Sequence, residues 1–326
     1  MIAIFTKQHY ESSTDEVIEW LKYYGADFIK INGSDFYKHY SFNSEDFGFD
    51  EWENIANQVN VCWFRRWQDD DYVNNLAESL DASTDNVLQL SEHLNREIVM
   101  LSRFFWQSIE GKKWLSHPSE LRYSKLEVLK QAKQAGLEIP ATLITASRQK
   151  LKAFKHQKKR IISKCISEIA VYWQENTSLS LKTEEITDEL IQALPATFFP
   201  SLFQELIEKS YELRVFYLDG QLYPMAIFSQ LDAQTQLDFR NYNQKRPNRT
   251  VPYKLPKLVE DKLLVLYKSL ELSTGSTDLI KTKDGRYVFL EINPIGQFGM
   301  TSTPCNYKLE KKIAEYLITH DKKETV

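Results

Sequence analysis

The sequence predicts a mixed α/β (α+β) protein with an open N-terminal α/β domain over residues 1–115, a small central domain over 116–200 and a C-terminal antiparallel-sheet domain over 201–326. Three observations carry this reading. Strand-like and helix-like patterns alternate through the first domain, as an α/β layer requires. A polar break with a proline, "SHPSE" at 116–120, follows a long helical stretch. Beyond 201, long alternating segments are joined by Asp-Gly pairs at 219 and 284, which read as hairpin turns.

Taken in order, "IAIF" reads as a buried strand. The next segment, "SSTDEVIEWLKYYG", reads as a helix with a capping box from Ser13 and Glu16 and a stop at Gly25. "ADFIKIN" and "VNVCWFRRW" follow as strands, and residues 84–110 carry apolar positions at helical spacing up to Gly111, predicting one long helix. The central domain reads as helix "SKLEVLKQAKQAG", strand "ATLITAS", helix "RQKLKAFKHQ" and strand "KRIISKCI", then a strand pair at 169–174 and 178–182 with the polar tip "ENTS". The basic run from Lys150 to Arg160 is a solvated helix face. In the last domain the helix "KLVEDKLLVLYKSLEL" separates two hairpins.

At 326 residues, with 42% hydrophobic content and a formal charge of −4, the chain is long enough for several domains and has no basic excess pointing to nucleic acid or a membrane surface. The apolar N-terminal run ends at Lys7, too short for a signal segment, and no later run approaches a membrane span, so a cytoplasmic location is expected. Cys62, Cys165 and Cys305 are far apart without CxxC spacing, and the six histidines show no HExxH pattern. Neither a disulfide framework nor a zinc site is expected, which leaves oxygen-ligated Mg²⁺ as the metal to look for.

Chemistry concentrates in "DLIKTKDGRYVFLEINPIGQFG", residues 278–299. A two-residue turn at Asp284-Gly285 pairs Lys283 with Arg286 and, continued in step, sets Asp278 opposite Glu291. Alternation then gives Leu279, Val288, Leu290 and Ile292 one core face and Asp278, Glu291 and Asn293 the other. Two carboxylates about 5 Å apart at Cβ repel unless a cation lies between them. Mg²⁺ ligated by Asp278, Glu291 and the Asn293 amide oxygen answers this, and a solvated hairpin with two unrelated acids is the plain alternative. On the metal reading, Asp278→Asn or Glu291→Gln relieves the repulsion and leaves the apo protein no less stable.

Upstream, "FQELIEKSYELRVFYLDG" puts Glu212, Arg214, Phe216 and Leu218 on one strand face. A buried arginine there needs an anion: Glu212 or Glu205, or, together with Arg240 of "DFRNYNQKRPNR", a bound phosphate or carboxylate. Lys164 interrupts the apolar strand "IISKCI" and is either an edge-strand charge or a phosphate ligand.

Taken together, "QELI…ELRVFYLDGQLYPMAIFSQ", "DFRNYN", "TDLIKTKDGRYVFLEINPIGQFG" and, more loosely, "SKLEVLKQAKQAGLEIPATLIT" with "IISK" resemble the ATP-grasp superfamily. The closer resemblance, over roughly residues 120–310, is to the maturases of microviridin-like graspetides, the grasp-with-spasm type included. The resemblance implies the ATP-grasp fold with ATP and Mg²⁺ as cofactors. Residue by residue, it implies that Lys125 and Lys164 contact phosphates, that Glu205 and the backbone of Ile207 hold adenine at the interdomain hinge, and that Glu208 or Glu212 faces the ribose. Arg214 and Arg240 would hold the γ-phosphate and the acyl phosphate made from it, while Asp278, Glu291 and Asn293 would ligate the metal. One departure stands out: there is no glycine between Gly136 and Gly220, where ATP-grasp enzymes often carry a glycine-rich phosphate loop. Closure over the phosphates must come from side chains or from another segment.

The activity so implied is activation of Asp or Glu side chains of a ribosomally made precursor peptide, followed by ester or amide closure onto Thr, Ser or Lys side chains. A leader segment of that peptide would be read through the 170–182 strand pair, where Tyr172 and Trp173 are the candidate contacts. Trp173 packed in the domain core is the alternative. The partners expected are the precursor peptide and, as an open question, a second copy of the chain, with neither nucleic acid nor membrane. An ATP-grasp amino-acid ligase adding glutamate or a similar residue to a protein or metabolite is the alternative enzyme, and a nucleotide-binding scaffold without activity is the alternative of another class.

Overall fold

A computed structural model describes residues 1–8, 11–45, 47–50, 52–67, 72–79, 84–167, 171–174, 177–180, 182–241 and 243–321, with only the backbone described for 72, 78, 84–86, 88, 121–122 and the 171–180 hairpin. The chain divides into two compact units, residues 1–121 with 308–326, and residues 122–307.

The first unit is built on a parallel sheet. Strand β1 (Ile2–Phe5), helix α1 (Ser12–Tyr23), β2 (Phe28–Ile31), α2 (Gly33–His39), the short β3 (Phe42–Asn43) and β4 (Gly48–Phe49), α3 (Trp52–Ala56), β5 (Val61–Phe64), α4 (Tyr72–Glu78), α5 (Thr84–Ser108) and β6 (Lys113–Trp114) follow in order. The sheet runs β2-β1-β5-β6 with every pairing parallel. Both faces of β1 are covered, so all four of its residues are fully buried, as an uninterrupted apolar strand demands. Phe36, Trp52, Phe105 and Trp106 fill the core around Phe5. The C-terminal helix, Leu309–Asp321, belongs to this unit and packs on α1. The expected capping box at Ser13 and Glu16 does not form. Helix α1 starts at Ser12 behind Glu11, and the Ser13 hydroxyl donates to the Glu11 carboxylate 2.9 Å away. Gly25, at φ +64°, does end the helix.

Among its described residues the second unit carries two large antiparallel sheets and a separate two-stranded hairpin. Helix α6 (Lys125–Gln134), capped reciprocally by Ser124 and Glu127, leads into β7 (Thr142–Ser147), α7 (Arg148–Lys158) and β8 (Ile161–Lys164). The hairpin β9 (Val171–Gln174) and β10 (Thr177–Ser180) sets Trp173 opposite Ser178 and Tyr172 opposite Leu179. Then come β11 (Glu184–Glu185), α8 (Asp188–Ala193) and β12 (Thr197–Glu205). The smaller sheet runs β11-β8-β12-β7. Lys164 therefore ends an interior strand, opposite Leu202 of β12, and is not an edge charge.

Residues 206–208 make no strand pairing and lead from β12 into the larger sheet. It is built from β13 (Lys209–Leu218), β14 (Gln221–Phe228), β15 (Arg249–Pro252), β16 (Thr274–Thr282) and β17 (Tyr287–Asn293), in the order β15-β14-β13-β16-β17. Helix α9 (Lys257–Ser269) covers one face with α6, burying Leu213, Val215, Leu279, Phe289 and Ile292 beneath them. Helix α10 (Gly299–Cys305) follows β17.

The two Asp-Gly turns differ. Asp219 and Gly220 both take positive φ, 42° and 84°, and close a two-residue turn between Leu218 and Gln221. Asp284 is not among the positive-φ residues, and the Thr282 N–H donates to the Arg286 carbonyl at 3.1 Å, so the second loop is the three residues Lys283–Gly285 with Gly285 at φ +93°. The pairing near that turn is consequently one residue out of the predicted step, with Leu279 opposite Phe289 and Ile280 opposite Val288. A β-bulge at Leu290 restores the step, and Asp278 does face Glu291. Val288 therefore lies on the face of Asp278, not on that of Leu279 as predicted.

Candidate active site

The two sheets of the second unit enclose a cleft of about 300 Å³. Register places an aliphatic group near the 206–208 connection and a charge farther out on each of the two sheets. On the smaller sheet Ile162 lies opposite Gln204, next to the 206–208 connection, and Lys164 lies two residues farther out, opposite Leu202. On the larger sheet Ile280 pairs with Glu212 near the same connection, and Asp278 pairs with Arg214 two residues farther. Side chains two apart share a strand face, so each sheet presents an aliphatic group by the hinge and a charge about 7 Å beyond it. Ile162, Lys164, Asp278, Ile280, Leu290 and Glu291 all line the cleft.

The charged end is compensated by arginines. Arg214 Nη1 lies 2.9 Å from both Asp278 oxygens, and Arg240 Nη1 lies 2.9 Å from Glu291 Oε1. The cross-strand carboxylates predicted to need a divalent cation thus each have an arginine of their own. The pairing argues against the expectation that an amide at Asp278 costs no stability, because loss of that charge would strand a buried guanidinium. The partner of Arg214 is neither Glu212 nor Glu205. Glu212 is engaged by Lys209 Nζ at 2.6 Å and by the Ser229 hydroxyl, and Glu205 lies 3.7 Å from Lys158.

Burial raises the Asp278 carboxyl above the ordinary range against the pull of Arg214, with Glu291 adding to the rise. For Glu291 burial acts in the same direction, but Arg240, Lys164 and Lys125 outweigh it and hold the carboxyl low. Burial lowers the Lys164 ammonium, partly offset by Glu291. The two carboxyls are thus shifted in opposite directions, as neighbouring acids in unlike surroundings are.

The other predicted residues fall as follows. Glu205, Ile207 and Glu208 line the cleft at the hinge. Glu208 is exposed at its rim, within 4.0 Å of Arg160 and 3.7 Å of Lys283, whereas Glu212 is buried. Lys125 Nζ donates to the carbonyls of Cys165, at 3.1 Å, and Ser167, at 2.6 Å, just past Lys164. Asn293 shares the face of Glu291, and its amide oxygen accepts from the Ile295 N–H at 3.1 Å. The side chains of Tyr172 and Trp173 lie outside the described residues, as does the hairpin tip at 175–176.

Asp238 and Lys209 are among the cleft residues that escaped the sequence reading. Asp238 accepts from Arg240 Nε at 2.9 Å and Nη2 at 2.8 Å, and the arginine holds its carboxyl below the ordinary value against burial. The "DFR" spacing was the available signal. Lys209 donates to Glu212 and to the Leu237 carbonyl at 2.9 Å, tying β13 to the connection that carries Asp238 and Arg240. A bulge between Lys209 and Tyr211 brings Lys209 and Glu212 to one side, which three-residue spacing in a regular strand would not do.

The donor set suits Mg²⁺. Two hard carboxylates, Asp278 and Glu291, stand at one end of the cleft with Asn293 on the same strand face, and among the described residues no group of three or more His, Cys, Asp or Glu is placed to cage a metal. Mg²⁺ is commonly bound by one or two carboxylates with substrate phosphates and water completing its shell.

No family model matches the sequence, and no curated protein matches it. Solved structures do. A Chryseobacterium gregarium RiPP-associated ATP-grasp ligase, in complex with ADP and a leader and core peptide, superposes with a TM-score of 0.84 at 24% identity, covering 100% of this chain and 99% of that one. The macrocyclase MdnC of Microcystis aeruginosa MRC, bound with precursor peptide MdnA, gives 0.78 at 26% identity over 98% and 99% of the two chains. The ATP-grasp ligase PsnB, complexed with minimal precursor, Mg and ADP, gives 0.76 at 18% identity over 98% and 97%. The chain has the ATP-grasp fold, in the form taken by RiPP-associated ligases and macrocyclases.

Proposed function

We propose that this chain is an ATP-dependent peptide ligase that activates Asp or Glu side chains of a ribosomally made precursor as acyl phosphates. Thr, Ser or Lys side chains of the same peptide then displace phosphate, closing ester or amide links. The observation that carries this is the cleft itself, aliphatic at the hinge and, two residues out on both strands, lined by Lys164, Asp278, Glu291 and Arg240. A nucleotide is apolar at its base and anionic at its phosphates, so its base suits Ile162, Ile280 and Leu290 and its phosphates suit Lys164 and Arg240. The solved structures with ADP and precursor peptides bound on the same fold support the substrate class.

In this reading the adenine lies between Ile162 and Leu290 against the backbone of Glu205 and Ile207. Glu208, with its exposed carboxylate, is better placed for the ribose than Glu212, which Lys209 and Ser229 engage. Lys164 faces the phosphates, joined by Lys125 if it exchanges its two carbonyl contacts. Asp278, Glu291 and Asn293 hold Mg²⁺, which when bound neutralises charge on the phosphate oxygens. The peptide carboxylate attacks the γ-phosphorus, ADP leaves, and Arg240 and Arg214 stabilise negative charge on the transferred phosphoryl and the acyl phosphate. A hydroxyl or amine then adds to the acyl carbon, phosphate departs and the nucleophile loses its proton. Hairpin β9–β10 takes the leader through Tyr172 and Trp173, and a homodimer is compatible with this scheme.

Intact-mass analysis of a candidate precursor incubated with enzyme, ATP and Mg²⁺ tests the reading. Loss of one water per link is expected. Gain of a residue mass would instead identify an amino-acid ligase, and an unchanged mass without ADP formation would leave a nucleotide-binding scaffold.

A further inference from the structure

The connection between β14 and β15, residues 229–248, is longer than the roughly 12–15 residues beyond which a loop without secondary structure usually serves a function. Side chains bind it to itself. Asn243 Nδ2 donates to Asp232 Oδ2 at 2.7 Å, the buried Thr235 hydroxyl donates to Asn248 Oδ1 at 3.0 Å, and Asn241 Nδ2 donates to the Gln234 carbonyl at 2.8 Å. The first half of the loop lines the cleft through Ala233, Gln236, Asp238 and Arg240. The second half, fastened to it at Asn243 and Asn248, turns Lys245 and Arg246 outward, and Arg249 follows with its guanidinium 5.3 Å over the Phe228 ring. All three are exposed, and among the described residues none has an ion-pair partner.

That contrasts with the cations inside. Arg214 is held by Asp278, and Arg240 by Asp238 and Glu291. In the ligase reading the charges of the cleft, Lys164 included, serve the triphosphate and the reacting carboxylate. A chain of net charge −4 repels an acidic peptide at long range, so such a substrate needs local positive potential near the cleft mouth.

We propose that Lys245 and Arg246 form a basic lip that binds acidic residues of the peptide substrate outside the cleft, next to the one undergoing activation. This rests on the peptide-ligase reading above. The lip supplies affinity and encounter rate for an acidic segment and leaves nucleotide binding unchanged, because Lys245 and Arg246 are on the outer half of the loop while Asp238 and Arg240 belong to the inner half; Arg249 starts β15 opposite Phe228, on the helix-covered face.

The probe is a fluorescein-labelled 20-residue peptide of Thr, Glu and Asp, with a Thr, Gln and Asn counterpart, titrated by anisotropy into full-length protein with Mg²⁺-ADP at low and high salt. Lys245→Glu with Arg246→Glu should weaken the acidic peptide about tenfold at low salt, and Lys245→Gln with Arg246→Gln about threefold with a flatter salt dependence. Arg249→Gln, on the helix-covered face of the sheet, should leave the affinity close to wild type. Unchanged affinity and salt slope in folded double variants overturn the lip, as does equal loss for the neutral peptide. Preference for a single-stranded RNA of equal charge over the acidic peptide would overturn it in favour of a nucleic-acid contact. The two readings fail separately. If acidic peptide stimulates ADP formation equally in wild type and variants, the lip falls and the ligase stands. If a candidate precursor gains no link and forms no ADP but binding of the acidic peptide still depends on the lip, the ligase falls and the lip stands.

Discussion

Arg214 and Asp278 face each other across β13 and β16, each 4% exposed, with one guanidinium nitrogen 2.9 Å from both carboxylate oxygens. Asp278→Ala leaves that guanidinium buried, with a Nε that has no partner among the described residues, and should cost the apo protein about 3–5 kcal/mol. Asp278→Asn, which keeps an acceptor, should cost less, and pairing Asp278→Leu with Arg214→Met should recover most of the loss. Urea unfolding without nucleotide measures this. A cost below about 1 kcal/mol for the alanine variant would show that the pair contributes little to the fold.

Glu291 behaves differently because its partner is doubly held. Arg240 keeps Asp238 when Glu291 is changed, so Glu291→Gln should stay within about 1 kcal/mol of wild type. Turnover should fall at least about 100-fold through loss of a metal ligand. Calorimetric titration of ADP at several Mg²⁺ concentrations checks the cause. Wild-type affinity should rise with Mg²⁺ and the variant's should not; equal Mg²⁺ dependence would remove Glu291 from the metal site.

How far the sequence reached depends on the range of each interaction. Gly25, the long helix ending at 108 and the Asp219-Gly220 turn rest on local chemistry, and all three were legible. The facing of Asp278 and Glu291 was predicted through a step that two departures cancel. The loop has three residues rather than two, and the bulge at Leu290 returns the missing one. An Asp-Gly pair fits the last two positions of a three-residue loop as well as a two-residue turn, so composition could not separate them. The Arg214–Asp278 pair joins strands separated by β14, β15 and α9, and no local pattern reports such a pairing. Lys209 reaches Glu212 only because a bulge breaks alternation, so its role was hidden as well.

Arg240→Ala should lower turnover about 100- to 1,000-fold while ADP affinity stays within about threefold, since the charge it meets develops on the transferring phosphoryl. Binding calorimetry beside single-turnover rates separates the two. Collapse of ADP affinity with turnover preserved at saturation would assign the arginine to ground-state nucleotide binding.

The three cysteines differ in reach. Burial pushes the Cys62 thiol up to about 12 and the Cys305 thiol to about 11, whereas Cys165 is half-exposed beside Lys164. Near pH 8 a thiol-specific reagent should therefore label one site quickly in the native protein and three after denaturation. Peptide mapping should place the fast label at Cys165. Rapid labelling of Cys62 would mean that the first unit opens on the timescale of the assay.

The bulge itself can be tested by deleting Leu290. Phe289 lies on the core face opposite Leu279, and Glu291 lies on the cleft face opposite Asp278. Without Leu290 the two would alternate as neighbours in a regular strand, so the deletion should preserve both the core contact and the facing carboxylates. What it removes is the side chain at the apolar end of the cleft, where the adenine is proposed to lie. The deletion variant should fold, retain Mg²⁺ dependence and bind ADP about five- to tenfold more weakly, the loss of roughly 1 kcal/mol of apolar contact. Leu290→Ala, which keeps the bulge, should show a similar loss. If the deletion abolished Mg²⁺ dependence while Leu290→Ala preserved it, the bulge would be setting the geometry of the carboxylates, and its role would lie with the metal rather than the base.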